Sequence, residues 1–113
     1  MQVRLETKQT LTIDETHWRT LWSGNLSTAI GESYSIWTAA MLRDRQGRSL
    51  IYVVRDDAAG ESQAVGELGR PQPEDIAPIL RRLCERAGLD ECPETWEMPA
   101  VEAACRGEDA AAN

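Results

Sequence analysis

The chain has 113 residues, 42% of them hydrophobic, with 12 Lys and Arg against 19 Asp and Glu for a formal net charge of −7. That length fits one domain with a core of its own, and the negative balance excludes the positive field on which a sequence-independent grip on nucleic acid relies. No apolar run approaches the ~18 residues of a membrane span, and the opening Met1 to Glu6 lacks the apolar stretch of a signal peptide, so the expected location is cytoplasmic.

In chain order, Val3, Leu5 and Thr7 alternate with Arg4, Glu6 and Lys8, the pattern of a half-buried strand, here expected at an edge, that Leu11 and Ile13 extend or restart. Asp14 suits the cap of a short helix in which Trp18, Leu21 and Trp22 form an i, i+3, i+4 stripe until Ser23, Gly24 and Asn25 stop it. Leu26 to Ser33 reads as a connecting loop. Its glycine spacing fits no phosphate-binding signature.

Tyr34 to Arg55 reads as a β-hairpin. Its turn, Asp44-Arg45-Gln46-Gly47, carries Asp at the first position of a type I turn and Gly where a left-handed residue is needed, which is a three-residue loop with a G1 bulge. Asp44 facing Arg48 sets the register: Leu42 with Leu50, Ala40 with Tyr52 and Thr38 with Val54 on one face, Met41 with Ile51 and Ala39 with Val53 on the other. Both faces are apolar, so both need a cover. Trp37 falls opposite Arg55, close enough for a cation–π contact.

A polar loop follows from Asp56 to Ser62, then a weak third strand over Gln63 to Leu68. A second strong element is an amphipathic helix with Ile76, Ile79, Leu80, Leu83, Cys84 and Ala87 on its apolar side. Pro78 favours Asp75 as its N-cap, and Gly88 with Leu89 predicts a Schellman cap at its end. Glu94 to Met98 reads as a last short strand, with Trp96 on the core. From Ala100 to Asn113 the composition is that of a frayed helix or a disordered segment.

Chemistry-bearing motifs are sparse. Cys84, Cys92 and Cys105 fit no zinc spacing, and His17 is the sole histidine, so no metal and no cofactor are expected. The thiols read as reduced, since a Cys84–Cys92 bridge would be unusual in the cytosol. An enzyme reading starts from His17 with an acid such as Asp14 or Glu15. Arg43, Arg45 and Arg48 project from the hairpin tip as a candidate anion contact, although charges there also keep sticky strands from joining their neighbours.

Charge is segregated: residues 1–89 hold 12 acids and 11 bases (−1), and residues 90–113 hold 7 acids and Arg106 alone (−6). Together these features predict a small α+β single domain over residues 1–99, followed by an acidic, Ala-rich tail at 100–113. The domain is an antiparallel sheet of three to five strands with one main amphipathic helix packed on one face and a short Trp-bearing helix. The function expected is a non-enzymatic protein-interaction module, a homo-oligomer or bound to a protein partner through an apolar sheet face, with the tail steering toward a basic surface. Trp18, Trp22, Trp37, Met41, Ile51 and Val53 are the candidate interaction surface. The alternatives are an inhibitor, immunity or escort protein for a basic effector, and a small-ligand binder or enzyme with a pocket between the sheet and the Trp-bearing helix.

Overall fold

The computed structural model describes residues 1–57, 60 and 62–112. Six strands, β1 (Gln2–Leu5), β2 (Thr10–Thr12), β3 (Trp18–Ile30), β4 (Ser33–Asp44), β5 (Ser49–Asp57) and β6 (Ser62–Gly69), precede two helices, α1 (Pro73–Arg86) and α2 (Glu94–Ala112). The strands form one sheet in the order β2-β1-β6-β5-β4-β3. The architecture is α+β as expected, but the sheet is mixed and six-stranded, because β1 pairs with β6 in parallel, Arg4 beside Val65 and Leu5 beside Gly66. The first strand is therefore interior, and β2 forms the edge.

The central hairpin has the register its turn dictates. Leu42 pairs with Leu50, Met41 with Ile51, Ala40 with Tyr52, Ala39 with Val53, Thr38 with Val54 and Trp37 with Arg55. The Asp44 amide donates to the Arg48 carbonyl at 3.0 Å, and Gly47 takes a φ of +82°, a conformation that favours glycine. One face of the sheet, holding Trp37, Ala39, Met41, Ile51 and Val53, packs against both helices. Helix α1 buries Ile76, Ile79, Leu80, Leu83 and Cys84 there.

Expectations for two segments are corrected. Trp18, Leu21 and Trp22 lie on β3, a strand of 13 residues that pairs with β4 along its whole length, so there is no short Trp-bearing helix and no loop at 26–33. The helical spacing is the imprint of a β-bulge: the register slips between Thr20 and Trp22, so Trp18 and Trp22 end on opposite faces instead of one. Glu94 to Met98 is the start of α2, not a strand. The 99/100 boundary falls inside that same helix, whose Ala100, Ala103 and Ala104 are buried. Of the polar loop read at 56–62, residues 58, 59 and 61 lie outside the described residues, as does Asn113 at the end of the tail.

The ends of α1 follow local rules. It starts at Pro73 rather than after Asp75, with Gln72 as N-cap and Asp75 accepting a hydrogen bond from the Gln72 amide at 3.3 Å. Proline at the first helical position loses no helical bond. Its end is a Schellman motif: Leu89 N–H donates to the Cys84 carbonyl at 2.9 Å and Gly88 N–H to Glu85 at 3.1 Å, with Gly88 at φ +84°. Trp37 Nε1 donates to the Ala87 carbonyl at 3.3 Å and the Arg55 guanidinium lies 5.7 Å from the Trp37 ring centre, which ties the hairpin to that helix end.

Candidate interaction surface

The side chains alternate across the sheet, so once the odd positions of β4 face the helices the even ones face away. Of the six candidates, Trp37, Met41, Ile51 and Val53 are buried beneath α1 and α2. Trp22 is half-buried on that same face, its ring edge-on to Trp96 of α2 with centroids 6.4 Å apart. Trp18 alone packs on the opposite face. The candidate residues thus do not share one exposed patch. The positions open to a partner are their alternation neighbours.

The opposite face divides into two halves. Near the Asp44–Arg48 turn, the connection from β2 to β3 runs from one edge strand to the other, and its Ile13, with Leu11 of β2 and Trp18 of β3, packs against Leu42, Leu50, Val3 and Leu5. Gly66 belongs to this packing, since a Cβ there would sit 2.6 Å from Val3 Cγ1. Toward the Gly31–Glu32 turn no crossing segment follows among the described residues, and Tyr34 is 47% and Ile36 36% exposed. Thr38 and Val54 beside them are half-buried. Tyr52 borders both halves, and burial pushes its hydroxyl pKa above the ordinary value. On β3 the same face carries Asn25 opposite Thr38 and Ser27 opposite Ile36, with Thr38 Oγ1 donating to Asn25 Oδ1 at 3.0 Å. The arrangement is a strip of Tyr, Ile and Val side chains bordered by neutral polar ones on β3 and by Asp56, paired with Ile36, on β5.

The turn register held the signal for this strip: Tyr34, Ile36, Thr38 and Val54 share the even parity of Leu42 and Leu50. Choosing between two apolar faces required knowing which one the helices cover. That is decided far along the chain, by Trp96 and the alanines of α2.

The arginines of the hairpin tip are engaged within the fold. Arg43 donates to Ser49 Oγ through Nε and Nη2 at 3.4 and 3.3 Å, Arg45 reaches the Thr16 carbonyl at 3.5 Å, and Arg48 Nε contacts Asp44 Oδ2 at 2.8 Å. Burial raises the Asp44 pKa, but the Arg48 amide and guanidinium outweigh it and hold the carboxyl below its ordinary value of 3.8. Asp44 also accepts from the Gln46 amide at 2.9 Å, so it organises the turn.

Two other clusters have chemical potential. His17 Nδ1 lies 2.7 Å from Asp14 Oδ1 in a cleft of about 290 Å³ that Trp18, Arg45 and Arg48 also line. The His17 contact lowers the Asp14 pKa, yet both side chains are largely exposed. Among the described residues, no hydroxyl or thiol hydrogen-bonds to either ring nitrogen. At the far side of the sheet, Arg82 bridges Glu6, at 2.8 Å, and Glu67. The Arg82 hydrogen bond lowers the Glu6 pKa, while desolvation raises that of Glu67. A mutual ion cluster of this kind pins α1 onto β1 and β6.

Between Trp22 and Trp96 the space is filled: a Cβ on Gly24 would lie 2.8 Å from both rings. Cys84 is buried and Cys92 half-buried, both as free thiols, and a hydrogen bond from Cys92 lowers the Cys84 pKa. Among the described residues no group of three His, Cys, Asp or Glu side chains is placed to hold a metal ion, and no helix is long and apolar enough to cross a membrane. No protein-family model, no curated protein and no solved structure matches the chain.

Proposed function

We propose that the protein is a non-enzymatic interaction module that docks a protein partner on the open half of its sheet. The observation that carries this reading is the strip of Tyr34, Ile36, Thr38 and Val54 on the face opposite the helices, where two large hydrophobic side chains stand at least a third exposed. Contiguous apolar exposure on a small domain marks contact sites far more often than scattered exposure does. The segregated charge supports a partner with a basic surface: the acids of residues 90–113 outnumber the bases 7 to 1, and such a field accelerates encounter with opposite charge. An inhibitor or escort of a basic effector is the most specific form of this reading.

The test compares capture of partners from the native source by the wild-type chain and by Ile36→Asp. A protein held by wild type and lost by the variant, with association slowing as salt rises, supports the proposal. Equal retention by both, or no retention by wild type, overturns it. A second reading draws on the Asp14–His17 pair, which orients an imidazole as a general base does. His17→Ala removing a hydrolytic activity would favour it over the first.

A further inference from the structure

We infer that the protein binds a small monocarboxylic acid in the cleft between α1 and the β5–β6 pair, its carboxylate held by Arg70 and its apolar body seated on Ile51 and Ile79. The cleft lies on the helix side of the sheet, so the inference goes beyond the docking face and does not rest on it.

The cleft has a volume of about 430 Å³, within the range of small-molecule sites. Its apolar lining is Ile51 of β5, Ile79 and Pro78 of α1, and Pro71 between β6 and α1. The two isoleucines are buried and the prolines more open, so the isoleucines form the floor.

Gly69, the last residue of β6, keeps this space open. It follows Glu67 by two positions, so a side chain there would point to the same face of the sheet. At Gly24 and Gly66 a Cβ would collide with a neighbouring side chain, but one built on Gly69 meets no atom within 4 Å. Its backbone is also outside the left-handed region, so neither packing nor conformation calls for glycine. A glycine in a strand marks, among other things, a place where a ligand approaches the backbone closely.

Charge decides the ligand. Two acids and two arginines line the cleft, and three of the four are engaged with other groups of their own sign balance. Glu67 is bound by Arg82, which also bonds Glu6 at 2.8 Å. Asp75 accepts from the Gln72 amide in the capping box of α1. Arg70 forms no ion pair among the described residues. Its Nη2 donates to the Gln46 carbonyl at 2.7 Å, which fixes the guanidinium and leaves its other N–H groups for a ligand. A planar fork of donors matches a carboxylate. A phosphate dianion would face Glu67 and Asp75, and an amine would face the unpaired Arg70.

The test is a heteronuclear NMR titration of the full chain with phenylacetate and with isovalerate. Saturable shifts centred on the amides of Gly69 and Arg70, with a Kd on the order of 1 mM, are expected. Phenylacetamide, phenethylamine and inorganic phosphate are each expected to bind at least about tenfold more weakly.

Gly69→Leu, whose Cβ meets no neighbour, puts a side chain into the cleft and is expected to abolish binding with the circular dichroism unchanged. Arg70→Gln is expected to weaken binding about tenfold, and Ile36→Asp, on the other face, to leave the titration as it is. No saturation by either acid up to about 20 mM, equal binding of phenylacetamide or phenethylamine, or a Gly69→Leu chain that binds as well as wild type each overturns the inference.

Discussion

The two faces of the sheet are built from the same strands and the same apolar residue types, yet one is closed and the other half open. On the helix side, Trp37, Ala39, Met41, Ile51 and Val53 are sealed by α1 and by Trp96 of α2. On the other side, the segment that runs from β2 to β3 covers the half nearest the Asp44 turn, through Leu11, Ile13 and Trp18. Apolar strands do not by themselves say what covers them. The cover is decided by segments far away in sequence, and where those end a surface is left.

The largest effect that separates the two faces is expected at Trp96. Trp96→Ala opens the closed face and should cost about 3–5 kcal/mol, read by urea denaturation. Ending the chain after residue 99 tests the same face from another side. It removes the buried Ala100, Ala103 and Ala104 and, at about 0.8 kcal/mol for each methyl-sized group, should cost at least ~2.5 kcal/mol.

Gly24→Ala sharpens the contrast further, because its Cβ would meet the Trp22 and Trp96 rings at 2.8 Å. Overpacking of that kind costs about 1–3 kcal/mol. On the open face, Ile36→Asp sets a second carboxylate opposite Asp56 and should cost no more than about 1 kcal/mol while abolishing partner capture. A large loss of stability there would mean that the face is closed after all.

The smallest effect concerns pH. The folded Asp44 carboxyl titrates below its ordinary 3.8, so its contribution is fully present above that value and is lost as pH falls through the lower folded value. Glu67 has the opposite sign: its folded pKa lies above the ordinary 4.5, so stability is lost as pH rises through that interval. Asp44→Asn should flatten acid denaturation below pH 3.8, and Glu67→Gln should flatten the loss just above pH 4.5. Urea midpoints measured from pH 2.5 to 7 check both signs.

Much of the fold was legible where a local rule governs. The Asp44–Gly47 turn fixed every pair from Trp37–Arg55 to Leu42–Leu50, and Gly88 announced the end of α1. Two failures came from signals that imitate another period. The bulge at Leu21 gives Trp18, Leu21 and Trp22 a helical spacing inside a strand, and Thr95 to Met98 alternate within a helix. Helix α2 was hidden for a further reason: its buried stripe beyond Trp96 is Ala100, Ala103 and Ala104, too small to register as a hydrophobic face, and Pro99 argues locally against a helix.

The parallel β1–β6 pairing joins residues some sixty positions apart, which no local pattern can encode. The candidate site was legible only as a parity class. Its location on one of two faces waited on those distant elements.

That parallel pairing also orders events in time. The β4–β5 and β5–β6 hairpins need only neighbours in sequence, so they close early and cheaply in loop entropy. Strand β1 must hold its place until β6 has been made and paired, and only after both edges of the sheet are fixed does the connection from β2 to β3 lie across the face. During synthesis β1 emerges well before β6 and is thus among the last strands to be seated, and its apolar Val3 and Leu5 stay uncovered for most of that interval. A chain stalled before Gly66 would carry an intact central hairpin and an N-terminal strand without its parallel partner, the state in which a chaperone would have most to shield.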